Sequence, residues 1–237
     1  MELVDVLRVI AITAFAGGTS FVGGLLGRLK FSDTILLFLT AFGAGILMAA
    51  AIFSMVISAE KDLGITAMLA AFVAGAIAFA AADWTVQRKK GEAGILLGIG
   101  LDSIPESLAI GATIASGAVL AVAVLVGIQN VPEGIASFKE MTTGKGAPFE
   151  NNRKKALASI GMVSAIPVAL GLLGLFFFQG AKTLIAVTLA VSAGGIFYML
   201  FYDMIPKAHR EKKRAPTFGA VIGFIVGFAI IRMIGEG

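Results

Sequence analysis

Eight long runs of apolar residues constrain the fold of this 237-residue chain more than any other feature. A helix needs about 20 apolar residues to cross a hydrocarbon layer of ~30 Å. The runs are continuously apolar, whereas the strands of a membrane β-barrel alternate. We therefore predict an all-α integral membrane protein in which residues 1–237 form one transmembrane domain. Its eight transmembrane helices are expected at about 4–27, 34–58, 64–86, 93–116, 118–138, 154–179, 182–206 and 215–234.

Composition supports a membrane environment. Charged residues make up 14% of the chain, against roughly 25% in a soluble domain.

The fourth and fifth spans, and the sixth and seventh, are separated by only a few residues, so each pair is expected to form a tight antiparallel hairpin. Glycine pairs such as Gly23-Gly24 and Gly194-Gly195 predict helices that pack closely. The N-terminal stretch carries acids where a signal peptide needs positive charge, which favours a retained first span.

The positive charges predict the orientation. If the N-terminus lies outside the cytoplasm, most of the 19 Lys and Arg residues fall in inward loops, as the positive-inside rule requires. This asymmetry predicts an even number of spans, both termini outside the cytoplasm, and a location in the cell membrane with the lipid bilayer as partner. Basic residues spread over short loops do not indicate nucleic-acid binding. The inward set is Arg28, Lys30, Arg88, Lys89, Lys90, Lys139, Lys145, Arg153, Lys154, Lys155, Lys207, Arg210, Lys212, Lys213 and Arg214.

Two neighbouring spans carry the same polar pattern, "LDSIPESLAIG" in the fourth and "IQNVPEGIAS" in the fifth. A carboxylate inside a membrane costs a few kcal/mol and usually faces the bundle interior or an ion path. Asp102 and Glu106 are four residues apart, as are Gln129 and Glu133, so each pair lies on one face of its helix. Because the two spans are expected to run antiparallel, the two pairs can meet at similar depth.

A proline accompanies each pair. Pro105 and Pro132 cannot donate to the carbonyls of Leu101 and Ile128, which frees these oxygens beside the acids. In a membrane such groups must find another partner, and interrupted helices near the midplane often form transporter ion sites.

The donors gathered here are carboxylate, amide, hydroxyl and carbonyl oxygens. Such sets bind divalent cations, and three carboxylates in a low-dielectric region require a cation or protons to offset their repulsion. The chain has no cysteine, and its one histidine, His209, lies in a basic loop. The candidate ligands are Asp102, Glu106, Gln129 and Glu133, with Ser103 and Asn130 nearby.

Two further acids, Asp83 and Asp203, lie near the predicted inner ends of their spans. They are expected either to line a cytoplasmic exit for the ion or to form ion pairs with the adjacent Lys or Arg residues.

These motifs resemble the ZIP (Zrt/Irt-like) family of divalent metal transporters, especially its prokaryotic GufA-type branch. The fifth-span pattern of that branch, Gln-Asn-x-Pro-Glu-Gly, is matched in full by residues 129–134. The fourth-span pattern, His-Asn-x-Pro-Glu-Gly, is matched less well, because Asp102 replaces His, Ser103 replaces Asn and Ser107 replaces Gly. The end of the seventh span, "YDMIPKAH", is also similar to the family.

The resemblance implies eight spans and uptake of Zn2+ or a related ion such as Mn2+, Fe2+ or Cd2+ into the cytoplasm. It implies a prokaryotic inner membrane as the location, no catalytic cofactor and a homodimer as the assembly. It carries Asp102, Glu106, Gln129 and Glu133 over as primary metal ligands. Ser103 and Asn130 become candidates for a second metal position, and Asp203 and Asp83 for the cytoplasmic exit.

Two other classes of function are alternatives to transport of a metal. An intramembrane metalloenzyme would need a zinc site with a general base, commonly in a His-Glu-x-x-His pattern, and no histidine lies in a predicted span. A proton-coupled carrier of a small organic solute would use the same acids, Glu106 and Glu133, as proton relays. That alternative predicts flux that does not depend on metal.

Overall fold

The computed structural model describes residues 3–88, 92–112, 118–143, 147–150, 152–178, 181–211 and 213–234, without the side chains of 92–96, 99, 102, 112, 118 and 178. Throughout these ranges the chain forms helices and short turns, and no strand occurs in them. The prediction of an all-α protein is confirmed for this part of the chain.

Eight helices follow one another along the described residues. Seven of them, all except α4, are long and apolar enough to cross a membrane by length and composition. α4 coincides with the fourth predicted span, of which residues 113–116 lie outside the described part. The number of spans therefore stays a prediction. The helices are α1 (Leu3–Leu26), α2 (Asp33–Leu63), α3 (Ile65–Gln87), α4 (Glu92–Ala112), α5 (Ala118–Thr142), α6 (Arg153–Val163 and Ile166–Phe178), α7 (Lys182–Ala208) and α8 (Ala215–Ile234).

A single residue, Gly64, joins α2 to α3. Its φ of 73° lies in the left-handed region, which glycine adopts without the steric cost that a Cβ brings. Its N–H donates to the carbonyl of Glu60 at 2.8 Å and closes the last turn of α2. α2 thus extends past the predicted end at residue 58, because its final turn is polar and the apolar run stops before the helix does.

Three helices depart from regular α geometry. α2 contains a π-helical segment at Ala50–Val56, and α7 contains another at Leu200–Met204. α6 is interrupted at residues 164–165, just before Pro167, which has no N–H to continue the hydrogen-bond ladder. The predicted sixth span, 154–179, is continuous, so the break in α6 was not predicted.

The helices that pack together are distant in sequence. α1 packs mainly against α5, α2 against α8, α3 against α7, and α4 against the second segment of α6. α4 and α5 contact each other over a short stretch, and α6 and α7 over an even shorter one. The main packing partners of these helices are therefore not their neighbours in sequence, and the two tight antiparallel hairpins stay a prediction. Short connections fix which ends of two helices are near each other, whereas the packed faces depend on surface shape.

Glycine residues set the shape of the helix surfaces where α1 crosses α5. A Cβ on Gly23 would collide with the carbonyl oxygen of Val131, and a Cβ on Gly134 with that of Ser20. The two backbones approach this closely because neither glycine has a side chain. Close packing at Gly23 and at Gly194, where a Cβ would meet the carbonyl of Phe72, is as predicted.

Burial is unequal around the bundle. α2, α5 and α7 are largely buried, whereas α3 and α8 expose rows of large apolar side chains that include Ile77 and Phe218. Rows of this kind are suited to contact with hydrocarbon, and they support a multi-pass membrane protein.

Basic segments meet at one end of the bundle. The Lys139 ammonium on α5 donates to the carbonyl of Leu29 at 3.2 Å, and that of Lys213 donates to the Thr34 hydroxyl at 3.0 Å. The connections after α1, α5 and α7 therefore share one end, which is the grouping that the charge pattern predicts for the cytoplasmic side.

Candidate metal site

The amide of Gln129 links the two polar motifs. Its Nε2 donates to Oε1 of Glu106 on α4 at 2.9 Å and lies 3.3 Å from Oε2 of Glu133 on α5. It also contacts Oδ1 of Asn130. Glu106 is 4% exposed and Gln129 is 1% exposed, so these contacts lie in the interior of the bundle. The structure thus brings three of the four predicted primary ligands together.

Three acceptor oxygens surround the amide nitrogen of Gln129. An NH2 group carries two hydrogens, yet three oxygens from three side chains surround the Nε2 of Gln129. The Oε1 of the same side chain is buried and has no hydrogen-bond partner among the described residues. Buried polar groups are normally paired, so this excess of acceptors indicates a place where a positive charge would be stabilised.

Two prolines shape the helices at this point. Pro105 and Pro132 lie within α4 and α5 and are buried, each one residue before the glutamate of its motif. The spacing of four residues between Gln129 and Glu133 puts both on one face of α5. Since Glu106 reaches that face from α4, the prediction that the two motifs meet at similar depth agrees with the contacts.

Asn130 points toward α1. Its Nδ2 donates to the backbone carbonyl of Ala16 at 2.7 Å, and Asn130 is 5% exposed. The side-chain oxygen stays beside Gln129. This anchoring to α1 is a role that the sequence motif did not reveal, because a backbone acceptor leaves no signature in the sequence.

On α4, the carbonyl of Ser103 accepts from the Ser107 hydroxyl at 2.6 Å.

The side chain of Asp102 lies outside the described part of the structure, although its backbone belongs to α4. Among the described side chains, no three or more His, Cys, Asp or Glu residues form a group that could hold a metal ion. Glu106 and Glu133 supply two carboxylates, so a complete ligand set needs amide oxygens, Asp102, or both.

Asp203 lies in the π-helical segment of α7 and forms an ion pair. Lys207 Nζ is 2.9 Å from Asp203 Oδ1, one turn away on the same helix. Of the two alternatives that the sequence left for this acid, an ion pair with a neighbouring Lys is present, and a place at the cytoplasmic exit stays a prediction.

Asp83 is held by neutral donors. Its Oδ2 accepts from Gln87 Nε2 at 2.7 Å and from the Tyr198 hydroxyl on α7 at 2.8 Å. Tyr202 stacks on Tyr198 with ring centroids 5.2 Å apart, and its hydroxyl lies 3.4 Å from Gln87 Oε1. These contacts join α3 to α7. The two tyrosines were not predicted as part of a site, although Asp83 and Gln87, like Tyr198 and Tyr202, show the i, i+4 spacing of one helix face.

Comparison with protein families gives a match that spans most of these elements. The model of the family described as ZIP Zinc transporter matches residues 84–235, from the last turn of α3 through α8. The chain belongs to this family. ZIP proteins are transporters of divalent metals such as zinc, so this chain is a multi-pass membrane transporter of divalent metal in general terms. No curated protein matched the sequence.

Membership in the ZIP family covers both motif helices, α4 and α5, and the end of α7. α1 and α2 precede the matched residues. The contact between Asn130 and Ala16 therefore joins the matched part of this ZIP protein to the part that precedes it.

Proposed function

We propose that this protein takes up a divalent metal ion, Zn2+ or a related ion such as Mn2+, Fe2+ or Cd2+, into the cytoplasm through a site between α4 and α5. Asp102, Glu106, Gln129 and Glu133 would be the primary ligands, and Ser103 and Asn130 would border a second position. The full match to the fifth-span pattern of the GufA-type branch supports a prokaryotic inner membrane as the location.

One observation carries this proposal. A single amide group from Gln129 is shared between Glu106 and Glu133, which come from different helices and are both removed from bulk water at least in part. Two carboxylates in a low-dielectric interior repel each other strongly unless a positive charge lies between them. A divalent cation at the position of the Nε2 group would satisfy all three surrounding oxygens at once.

The amide group of Gln129 can interact with the two carboxylates when no ion is present and with the metal ion when one is bound. With no ion present, its NH2 group is the donor that the carboxylates share. A half-turn about the Cγ–Cδ bond would exchange Nε2 for Oε1, which is the oxygen that has no partner in the described residues. That rotation would turn a hydrogen-bond donor into a metal ligand without moving either helix.

The donor chemistry favours hard or borderline cations. Carboxylate and amide oxygens suit Mn2+ and Mg2+, whereas imidazole and thiolate shift the preference toward Zn2+ and Cu+. Since the fourth-span histidine of the family is Asp102 here, we expect broader selectivity among divalent ions than a histidine site would give.

The test is metal flux into proteoliposomes that contain the purified protein. Wild-type protein should move Zn2+, Mn2+, Fe2+ or Cd2+ down its gradient. Glu106→Gln and Glu133→Gln keep the size of the side chain and remove its charge. Loss of even an outer-shell partner costs about 10- to 100-fold in metal affinity, so removal of a ligand should lower flux by at least about that factor.

Glu140→Gln is the matched control. Glu140 lies on α5 two turns beyond Glu133, and its side chain is exposed. This variant should transport like the wild type. Flux that persists undiminished in both Glu106→Gln and Glu133→Gln would refute the proposed site, and flux of an organic solute without metal would favour the proton-coupled carrier.

A further inference from the structure

An open cavity of 560 Å³ lies where the end of α1 meets the start of α6. The two helices run antiparallel toward it, since Gly17 packs against the backbone of Ser164 and the ring of Phe21 packs against Gly161. The connections after α1 and α5 share one end of the bundle, and α6 begins there because it follows the second of them. The cavity therefore opens at the end that the charge pattern assigns to the cytoplasm. Its lining residues are Arg28, Glu150, Asn152, Arg153 and Lys154.

The segment that precedes α6 forms a fixed wall of this cavity. Phe149 is 3% exposed and belongs to a buried apolar cluster, and its N–H donates to the carbonyl of Met141 at 2.8 Å. Asn152 caps α6, because its Oδ1 accepts from the N–H of Lys155 at 3.0 Å. Glu150 and Asn152 are thus held in position on either side of the turn, and the cavity is formed without a ligand.

The lining of the cavity is basic. Three cations, Arg28, Arg153 and Lys154, lie around the single carboxylate of Glu150, so the lining carries two net positive charges. Among the described residues, no salt bridge joins any of these three cations to a carboxylate. Arg153 and Lys154 also lie in the first turn of α6, which holds no acid, and the helix dipole disfavours positive charge there. An anion bound among the three cations would offset their repulsion.

An apolar face of α1 leads away from the cavity. Phe21 and Leu25 are 36% and 40% exposed, and Arg28 follows them at helical spacing. The N–H of Arg28 donates to the carbonyl of Leu25 at 3.2 Å, so the helical turn continues as far as Arg28. Spacings of four and three residues place the three side chains along one face. A ligand with a phosphate at Arg28 and a hydrocarbon chain along α1 would contact both parts of this surface, whereas free phosphate would contact only the first.

We propose that this cavity binds the phosphate headgroup of an anionic phospholipid from the cytoplasmic leaflet. Basic pockets between transmembrane helices on the cytoplasmic side bind such headgroups. The guanidinium groups of Arg28 and Arg153 donate paired hydrogen bonds to the phosphate, Lys154 adds a third positive charge, and an acyl chain lies along α1. The lipid thereby links the end of α1 to the start of α6. The inference requires a bilayer but no transported ion, so its failure would leave the proposed function untouched.

Native mass spectrometry of the full-length protein in detergent tests the inference. The protein would be titrated with dioleoylphosphatidylglycerol, which is anionic, and separately with dioleoylphosphatidylcholine, which is zwitterionic. Each basic residue near a membrane surface raises the affinity for anionic lipid about fivefold, so two net positive charges predict about 25-fold tighter binding of the anionic lipid.

Two double variants with the same change of charge locate the binding site. Arg28→Gln combined with Arg153→Gln should lower the affinity for phosphatidylglycerol by about 25-fold. Lys30→Gln combined with Lys155→Gln is the matched control, because neither residue lines the cavity and the Lys155 ammonium lies 4.9 Å from the centre of the Phe149 ring. The control should change the affinity by less than about threefold, since salt screens charges that do not contact the ligand.

A third variant should change the affinity in the opposite direction. Glu150→Gln removes the carboxylate from the lining and should raise the affinity for phosphatidylglycerol about fivefold. A general loss of folding cannot produce such a gain. A large molar excess of inorganic phosphate should not displace the lipid, because phosphate has no acyl chain to contact α1.

Three results would overturn the inference. The first is equal affinity of the wild type for the two lipids. The second is an equal loss of affinity in the two double variants, which would indicate diffuse attraction to the basic end of the bundle. The third is displacement of the lipid by inorganic phosphate, which would assign the cavity to a soluble anion.

Discussion

Two acid clusters in this protein join pairs of helices, and they differ in the balance of donors and acceptors. In the first cluster, Glu106 and Glu133 share one amide group from Gln129, and the oxygen of that amide has no partner in the described residues. In the second, Asp83 alone accepts hydrogen bonds from both Gln87 and Tyr198. In the first cluster two carboxylates contact one amide group, and in the second one carboxylate accepts from two neutral donors.

The difference separates a binding site from a structural link. Both clusters contain intramembrane or near-membrane acids, and both were candidates for metal contact on sequence grounds. An acid that already accepts two short hydrogen bonds gains less from a cation than two carboxylates that contact the same amide group and repel each other. We therefore expect the first cluster to bind the ion and the second to hold α3 against α7.

The largest effect should come from matched neutralisation of one acid in each cluster. Glu133→Gln should lower metal flux by about 100-fold or more, whereas Asp83→Asn should lower it by less than about threefold, since an amide can still accept the Tyr198 hydrogen bond. Flux would be measured in proteoliposomes at equal protein content. If Asp83→Asn abolished transport while the protein stayed folded, the contrast between the clusters would be lost.

A smaller effect is expected from removal of the shared amide. Gln129→Leu should weaken metal binding by about 10- to 100-fold, because it removes an oxygen ligand and the amide group that contacts both carboxylates. Isothermal titration calorimetry of the purified protein with the metal ion measures this change in affinity.

The control for the amide is Gln87→Leu in the second cluster, which also removes an amide that contacts a carboxylate. It should leave metal affinity within about twofold of the wild type. Equal losses of affinity in the two variants would mean that the clusters do not differ in function.

The smallest effect should come from Tyr198→Phe. This change removes one neutral hydrogen bond to Asp83 and preserves the ring that stacks on Tyr202, so the free energy of unfolding should fall by about 0.5–1.5 kcal/mol with flux unchanged. Thermal unfolding in detergent reports the change in the free energy of unfolding. A loss of transport that exceeds the loss of stability would assign Tyr198 a part in the ion path.

Much of the fold could be predicted because membrane insertion imposes local rules. The length of an apolar run fixes a helix, and the described helix ends lie close to the predicted ones except where polar residues extend α2 to Leu63 and α5 to Thr142. The break in α6 before Pro167 also had a local signal. The pairing of α4 with α6 had none, because it depends on surfaces such as that of Gly111, where a Cβ would meet the backbone of Gly171.

The candidate metal site could be predicted in part because the same polar motif occurs in two spans. Matched motifs in two spans predicted that Gln129 and Glu133 would meet Glu106, and the contacts agree with this. The partners of Asp83 and Asn130 were not predictable, because Tyr198 and Ala16 are more than 100 residues away and neither belongs to a motif. Such contacts depend on the three-dimensional packing of helices whose order in space the sequence does not state.

The one-residue junction at Gly64 has a mechanical consequence. A single residue spans at most ~3.5 Å, so the adjoining ends of α2 and α3 cannot separate by more than a small distance. Any tilt of α2 that displaces this end by several ångströms must carry α3 with it. Since Tyr198 fastens α3 to α7 near the opposite end, these three helices form a linked frame around which the remaining helices would have to rearrange.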